Sequence, residues 1–218
     1  MTQIHARANS LVVLREDSQA LIVERVSRAL EGGAVVALPT ETVYGFACDA
    51  RNEDALAQLF ELKGRPANVP LPVALAEPVW AKGWQAHPDK RLERLAQRWW
   101  PGPLTIVVPA RSDISPVLSA GLGTVALRVP DQELTRAIIH RFGRAVALTS
   151  ANQHGDPPAL SADEVRANFP RGLAAIVDGG VSALGIPSTL VLLEEGDAWR
   201  VLRPGGVAEE DLAEVLGP

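Results

Sequence analysis

Apolar positions along the chain alternate between helical spacing and short continuous runs, a pattern that predicts helices and strands in succession. The first helix is predicted over 18–30, with Asp17 as its N-cap and Gly32 as its stop. The run AVVAL at 34–38 then predicts a buried strand, because all of its residues are apolar. A second helix is predicted over 53–62.

The same alternation continues to the end of the chain. Further strands are predicted over 71–76, 104–109, 124–129, 145–149, 174–178, 188–193 and 199–202. Further helices are predicted over 89–99, 132–142, 162–168 and 208–216. Asn52 is expected to cap the second helix and Asp131 to begin a later one, and Ser161 with Glu164 forms a capping-box pattern. This order predicts an α/β fold. Since the last strands lack intervening helices, a mixed parallel and antiparallel sheet is favoured.

Composition narrows the class of protein. The 218 residues are 47% apolar and 22% charged, which is typical of a globular protein with a sizeable core. No repeat or long linker is present, so we expect one domain over 1–218. The net charge of −5 disfavours a broad nucleic-acid surface but leaves room for a local cationic pocket. Cys48 is the only cysteine and no apolar run approaches the roughly 18 residues that span a bilayer, so we expect a cytoplasmic location without membrane contact.

Candidate functional residues lie where the predicted elements join. PTETVYG places several hydroxyls and one carboxylate at the carboxyl end of a buried strand, where open α/β sheets bind ligands. An ordinary turn with satisfied threonine hydroxyls explains the same pattern. KGRPANVPL brings Lys63 close to Arg65, and an ammonium beside a guanidinium suits a polyphosphate. The alternative is that both residues only complement the dipole of the preceding helix.

Three further segments carry polar residues at strand ends. TSAN places Ser150 and Asn152 after a predicted strand, where they suit either a phosphate or an ordinary turn. Arg128 alternates with apolar neighbours in GTVALRVP, so it is expected either to face a ligand or to form a structural ion pair. Ser188 opens a predicted strand, and Arg203 precedes a Pro-Gly turn.

Several common signatures are absent from the sequence. It contains no GxxxxGK[ST] loop and no GxGxxG after a strand, which are the usual nucleotide-binding fingerprints. The four histidines do not have the spacing of zinc ligands. Ser150 lacks the GxSxG context of a hydrolase nucleophile, and the nearness of His154 in sequence is no evidence for a Ser–His pair.

Taken together, the segments resemble the YrdC-like family, whose characterised members are L-threonylcarbamoyladenylate synthases. The motifs that carry the resemblance are GGAVVALPTETVYGFACDA, ELKGRPANVPLPVALA, RWWPGPLTIVVPA, TVALRVPD, VALTSANQHGDPP, VDGG, PSTLVL and VLRPGG. They occur in the order and at the spacing typical of the family, from about Ser18 to Val207. The resemblance implies a twisted α/β sheet around a large concave basic cavity. Because the chain ends soon after LRPGG, it resembles the short, single-domain form of the family.

The resemblance also implies a reaction. Threonine and bicarbonate combine to a carbamate, whose oxygen attacks the α-phosphate of ATP to give threonylcarbamoyl-adenylate and pyrophosphate. A partner enzyme then transfers the threonylcarbamoyl group to an adenosine of certain tRNAs. The expected substrates are therefore L-threonine, bicarbonate and ATP, with Mg²⁺ carried by the nucleotide. A downstream threonylcarbamoyl-transferase and weak tRNA binding are the expected further partners.

Site residues are implied by the matching motifs. The residues of the family's KxR…SxN signature, expected at the phosphates, are Lys63, Arg65, Ser150 and Asn152. The residues expected on the threonine side are Thr42, Arg128 and Ser188, with Arg128 pairing the amino-acid carboxylate. The residues expected to contact the nucleotide as well are Thr124 and Arg203. Such cations suit adenylylation, which requires alignment and charge neutralisation rather than covalent help from the protein.

Four positions depart from the family pattern: Val69, Ala74, His154 and Leu192. Many members carry Asn and His at the first two of these positions. The changes leave open a second reading, in which the same scaffold adenylylates another carbamoylated compound. A third reading is a non-catalytic RNA-binding module. The net charge of −5 and the lack of aromatic stacking motifs count against it.

Overall fold

A computed structural model describes residues 12–15, 18–66 and 68–217. The strands of this part of the chain are β1 (Val12–Leu14), β2 (Val36–Leu38), β3 (Gly45–Asp49), β4 (Val73–Ala74), β5 (Leu104–Pro109), β6 (Thr124–Arg128), β7 (Val146–Ser150), β8 (Ala175–Val177), β9 (Thr189–Leu193) and β10 (Trp199–Arg203). The helices are α1 (Gln19–Glu31), α2 (Glu53–Lys63), α3 (Lys90–Trp99), α4 (Pro116–Ser119), α5 (Glu133–Phe142), α6 (Ala162–Asn168) and α7 (Glu209–Leu216), with a 3₁₀ helix at Pro78–Gly83.

The strands form one open sheet in the order β1-β8-β2-β3-β7-β4-β6-β5-β9-β10. Four of its neighbouring pairs are parallel: β1 with β8, β8 with β2, β4 with β6, and β5 with β9. The other five pairs are antiparallel. The predicted α/β fold with a mixed sheet is therefore confirmed.

Helices cover both faces of the sheet, because successive side chains of a strand point to opposite faces. In β3, Phe46 and Cys48 belong to one apolar cluster, whereas Ala47 between them belongs to the other. The first cluster includes side chains of α2 and α3, and the second includes side chains of α1 and α5. Fully burying a Leu or Ile contributes about 1.5–3 kcal/mol, so the two clusters hold the strand ends rigidly in place. Among the described helices, none is long and apolar enough to cross a membrane.

The predicted elements are found with small shifts at their ends, and four elements were not predicted: β1, β3, α4 and the 3₁₀ helix. No strand was predicted over β3, because Gly45 and Asp49 at its ends have low strand propensity. The strand predicted over 71–76 is reduced to β4, since Pro70 and Pro72 just before it have no N–H to donate.

Two of the expected caps differ from the structure. Ser18 caps α1 by accepting a hydrogen bond from the backbone N–H of Leu21, while Asp17 lies outside the described residues. The prediction that Asp131 begins α5 is wrong, because Gln132 supplies the cap. The Asp131 N–H donates instead to the side chain of Glu41, 3.0 Å away.

The other two caps were predicted correctly. Asn52 caps α2, and Ser161 caps α6 by accepting from the N–H of Glu164. The carboxylate of Glu164 reaches back to the N–H of Leu160, one residue before the cap. This arrangement differs by one residue from the usual capping box, in which the cap residue's own N–H is the donor.

The pairing of the central strands brings the predicted site segments to one edge of the sheet. Gly45 pairs with both Leu38 and Ser150, so the ends of β2 and β7 meet at the start of β3. On the other side of β7, Ala74 lies in register beside Arg128 at the end of β6. Segments that are far apart in sequence therefore surround one cleft.

Candidate functional site

A cleft opens at this edge of the sheet, where the ends of these strands meet. Its polar lining consists of hydroxyl side chains and three arginines: Thr40, Thr42, Tyr44, Thr105, Thr149, Ser150, Ser188, Arg65, Arg128 and Arg203. Its apolar lining includes Val43, Val73, Ala74 and Leu148. No carboxylate residue is among the lining residues of the described chain.

The PTETVYG segment forms the turn at the base of the cleft. The Thr40 hydroxyl accepts hydrogen bonds from the backbone N–H groups of Thr42 and Val43 and donates to the Val43 carbonyl, 2.6 Å away. The hydroxyls of Thr40 and Thr42 lie 2.7 Å apart. The turn therefore accounts for the hydrogen bonds of the Thr40 hydroxyl. Thr42 differs, because its hydroxyl also accepts a hydrogen bond from Arg128 Nη2 at 2.9 Å.

Tyr44 connects the VDGG motif to the cleft. Its buried hydroxyl donates to the carbonyl of Gly180 at 2.8 Å and accepts from the N–H of Gly179 at 3.1 Å. Burial raises the pKa of this phenol, so it remains a neutral hydrogen-bonding group. These two hydrogen bonds hold the loop that leads to Pro187 and Ser188 beside the start of β3.

Lys63 lies at the last position of α2, buried with 2% of its surface exposed. Its ammonium donates to oxygens of two residues: the Ser150 backbone at 2.6 Å and hydroxyl at 3.3 Å, and the Asn152 side chain at 2.8 Å and backbone at 3.1 Å. Burial, and to a lesser extent the neighbouring Arg65, lowers the pKa of Lys63 to about 8. The structure thus brings together the KxR and SxN residues. Lys63 itself is not a lining residue of the cleft.

The side chain of Asn152 stabilises the loop in which it lies. Its side-chain oxygen accepts from Lys63, and its amide nitrogen donates to the carbonyls of Gln153 and Asp156. Like Lys63, it is not among the cleft-lining residues, whereas Ser150 is. Direct phosphate contact by the lysine and the asparagine therefore stays a prediction.

Arg65 and Arg203 are anchored to the protein by the same two nitrogens of their guanidinium groups. Arg65 donates from Nε and Nη2 to the backbone oxygens of Val69 and Pro70. Arg203 donates from Nε and Nη2 to the Ser188 carbonyl and from Nη2 to its hydroxyl. In the part of the chain that the structure describes, neither Nη1 has an acceptor. Both arginines line the cleft, and their contact with a ligand stays a prediction.

Arg128 is held more tightly than the other two arginines. Its Nε donates to the carbonyl of Gly102 at 3.1 Å, and its Nη2 donates to Glu41 at 2.7 Å and to Thr42. The two charged side chains are 11% and 12% exposed, so this is a largely buried ion pair. Of the two explanations offered by the sequence, the structure shows the ion pair. Arg128 also lines the cleft, and its contact with a ligand stays a prediction.

Several positively charged side chains lie close together along the cleft. Burial is the main cause that lowers the pKa of each of its three arginines. The second cause for Arg65 is the charge of Arg203, and the second cause for Arg203 is the charge of Arg128. With Lys63 beside Arg65, four cations follow one another. Among the described residues, Glu41 is the one carboxylate that forms an ion pair with any of them, and its partner is Arg128. Such a site favours an anion with several charges.

The remaining predicted site residues differ in their placement. Ser188 lines the cleft, and its hydroxyl shares a 2.7 Å hydrogen bond with the hydroxyl of Thr105. Thr124 opens β6 opposite Pro109 and is not among the lining residues. It lies four positions before Arg128 along the strand, which corresponds to about 13 Å. The structure therefore does not bring Thr124 to the cleft, and its nucleotide contact stays a prediction.

Two of the positions that depart from the family pattern can be placed. Val69 meets Arg65 through its backbone carbonyl, a contact that any residue supplies. Ala74 belongs to the cleft lining beside Arg128, so a change of side chain there alters the cleft itself.

Sequence reasoning missed Glu41 and Thr105 as members of the site. Glu41 was visible only as the carboxylate of PTETVYG, and Thr105 interrupts an apolar strand, which is a weak signal. No three His, Cys, Asp or Glu side chains of the described residues cluster as a metal site requires.

The chain is similar to several known proteins. The family model Sua5/YciO/YrdC, described as "Telomere recombination", matches residues 28–205. Threonylcarbamoyl-AMP synthase of Bacillus subtilis (strain 168) is 38% identical over 197 residues, which are 90% of this chain and 57% of the relative. Sua5 of Pyrococcus abyssi, solved in complex with L-threonine, has a TM-score of 0.88 at 36% identity, over 95% of this chain and 61% of that one. The chain therefore spans about three fifths of the length of these two relatives.

A more distant structure shows a likeness of fold alone. YciO of E. coli has a TM-score of 0.79 at 18% identity, over 93% of this chain and 97% of that one.

Proposed function

The chain belongs to the Sua5/YciO/YrdC family, and we propose that it makes threonylcarbamoyl-adenylate from L-threonine, bicarbonate and ATP, with release of pyrophosphate. The observation that carries this proposal is the cleft that three arginines line together, with no carboxylate among the lining residues of the described chain. Relatives named threonylcarbamoyl-AMP synthase and the Pyrococcus abyssi structure with L-threonine support the same reaction.

The reaction requires three anionic groups to lie close together: the carboxylate of threonine, the carbamate formed on its nitrogen, and the triphosphate of ATP. The ammonium group of threonine combines with bicarbonate to a carbamate, with release of water and one proton. A carbamate oxygen then bonds to the α-phosphorus of ATP, while the bond from that phosphorus to its bridging oxygen breaks and pyrophosphate leaves. The protein contributes alignment and charge neutralisation to this displacement, because no covalent intermediate is required.

Arg65 and Arg203 take the phosphate side in this proposal. Each is anchored through Nε and Nη2 and retains an Nη1 that has no acceptor among the described residues. Two such groups, held in place beforehand, neutralise the phosphates without reorganising as the reaction proceeds. Ser150 joins them from the end of β7, with Lys63 and Asn152 holding its loop.

Arg128 takes the amino-acid side. Of the three nitrogens of its guanidinium group, only Nη1 has no acceptor among the described residues, and a guanidinium is well suited to a carboxylate. Thr42 accepts a hydrogen bond from Arg128, and Ser188 accepts one from Arg203. The threonine hydroxyl and carboxylate would meet these groups.

Mg²⁺ and the macromolecular partners are part of the proposal. The lining of the cleft offers hydroxyls and no carboxylate, so it does not fit a resident metal ion, and Mg²⁺ is proposed to arrive on the phosphates of ATP. The product is a mixed anhydride that water can hydrolyse, so a transferase acting on tRNA should consume it promptly. Weak tRNA contact and a cytoplasmic location complete the proposed setting.

Ala74 supports a second candidate, the adenylylation of another carbamoylated amino acid. It is a small lining residue in register with Arg128, where a different substrate side chain would find room. No observation favours the RNA-binding module.

One assay tests the proposal. We expect the protein to release pyrophosphate from ATP only when both L-threonine and bicarbonate are present, and omission of either should reduce the rate to background. Release that is indifferent to threonine would contradict the proposal. Replacing threonine by other amino acids in the same assay decides between the two candidates.

A further inference from the structure

Glu41 is the carboxylate that touches the cationic cleft, although it is not itself a lining residue. One of its oxygens accepts from Arg128 Nη2 at 2.7 Å, and the other accepts from the backbone N–H of Asp131 at 3.0 Å. Its own carbonyl accepts from the N–H of Leu184 at 2.8 Å. Both carboxylate oxygens are therefore occupied by the protein, and the side chain has a fixed position.

The orientation of Arg128 depends on this fixed carboxylate. A guanidinium group is planar, so acceptors at two of its nitrogens determine where the third lies. Gly102 occupies Nε, and Glu41 with Thr42 occupies Nη2. The remaining Nη1 has no acceptor among the described residues, and Arg128 lines the cleft.

The negative charge of Glu41 also stabilises the guanidinium group of Arg128. The side chain of Arg128 is largely buried, and the charge of Arg128 is close enough to Arg203 to lower the pKa of Arg203. A buried guanidinium that faces a second cation without a partner is strongly unfavourable. The charge of Glu41 offsets this repulsion, so that Arg128 can stay in place before an anionic ligand binds.

We propose that Glu41 is a positioning residue for the amino-acid substrate: it holds Arg128 so that Nη1 is presented to the substrate carboxylate. The inference rests on the proposed function, because it takes Arg128 as the carboxylate-binding residue. Glu41 does not touch the substrate in this role. It acts through Arg128, and its loss should affect the amino acid far more than the nucleotide.

The test compares Glu41→Gln with a matched control. The control is Asp89→Asn, which neutralises another carboxylate of a largely buried pair, with Arg91, away from the cleft lining; its side chains are 19% and 12% exposed. We expect Glu41→Gln to raise the KM for L-threonine at least tenfold while the KM for ATP stays within threefold of wild type. The control should leave both KM values within twofold. Glu41→Asp, which keeps the charge, should recover part of the threonine KM.

A binding measurement separates this inference from the proposed function. Calorimetry is carried out with L-threonine and with threoninol, which lacks the carboxylate. We expect wild type to bind L-threonine more tightly, and we expect Glu41→Gln and Arg128→Gln each to remove at least tenfold of that preference. The double variant should lose no more than Arg128→Gln alone, because both changes act on one contact.

Each outcome supports or overturns the inference. An unchanged threonine KM and an unchanged preference over threoninol in Glu41→Gln would overturn it, as would an equal rise of both KM values. If Glu41→Gln does not fold, Glu41→Asp and wild type decide through the same binding ratio, and an unaltered ratio in the aspartate variant again overturns it. If the wild type does not turn over but still binds L-threonine more tightly than threoninol, the proposed function is contradicted and the inference stands.

Discussion

The ammonium of Lys63 lies 2.6 Å from the backbone oxygen of Ser150, although the two residues are 87 positions apart in the chain. This contact joins the end of α2 to the end of β7 and makes one unit of two separate sequence motifs. Lys63 was expected at a loop and in contact with phosphate. The structure places it at a buried helix end, where its donors serve the protein.

We expect Lys63→Met to destabilise the fold and to impair synthesis. Methionine fills a similar volume but leaves buried oxygens of Ser150 and Asn152 without a donor, and each such loss costs about 1–3 kcal/mol. The free energy of unfolding in urea should fall by about 2–4 kcal/mol, and synthesis should fall at least tenfold. Lys82→Met, at an exposed lysine, is the control and should change stability by less than about 0.5 kcal/mol. Equal stability of the two variants would contradict this role.

The lowered pKa of Lys63 predicts a rise of stability with pH. Its pKa is about 8 in the folded protein against 10.5 as the ordinary value, so between these values the unfolded chain binds more protons. Stability from this group is therefore gained as pH rises through this range and lost as pH falls through about 8. Between pH 8 and 10, wild type should gain about 1–3 kcal/mol of unfolding free energy relative to Lys63→Met. A constant difference between the two proteins would show that the pKa is not lowered.

We expect Arg65→Gln to weaken nucleotide binding selectively. The guanidinium is anchored by the carbonyls of Val69 and Pro70, and its free Nη1 is assigned to phosphate. Loss of one charge-assisted contact should raise the KM for ATP about tenfold and weaken inhibition by pyrophosphate to a similar degree. The KM for threonine should change less than threefold. Arg171→Gln, at an exposed arginine, serves as the control and should alter neither KM.

Removal of the Tyr44 hydroxyl should loosen the loop beside the cleft. In Tyr44→Phe, the N–H of Gly179 and the carbonyl of Gly180, which belong to exposed residues, lose their hydrogen bonds to the phenol. We expect the free energy of unfolding to fall by about 0.5–1.5 kcal/mol. Hydrogen exchange at residues 179–188 should become faster, while exchange in α3 should not change. Unaltered exchange around Gly180 would mean that this hydroxyl does not hold the loop.

Local patterns predicted most of the fold, because apolar periodicity and caps such as Asn52 and Ser161 are properties of neighbouring residues. The elements that were missed are short or carry residues of low propensity, as β3 does with Gly45 and Asp49 at its ends. The order of the strands follows from packing between distant segments, and no local pattern contains it.

The site was predictable as a set of segments but not as a set of contacts. The motifs pointed to Arg65, Arg128 and Ser150, which the structure gathers in one cleft. The pairing of Glu41 with Arg128 spans 87 positions, and a sequence does not show which of several carboxylates a buried arginine will meet. For the same reason, the sequence did not indicate that Lys63 is turned towards Ser150 and Asn152.

Double labelling tests the central claim most directly. The protein is incubated with ATP labelled at the α-phosphate, ¹⁴C-bicarbonate and L-threonine, and the nucleotide products are separated at once. We expect one product that carries both labels and forms in a one-to-one ratio with pyrophosphate, with much less of it in Arg65→Gln. If the wild type converts ATP while no product contains both labels, the cleft does not join a carbamate to the adenylate, and the account is contradicted.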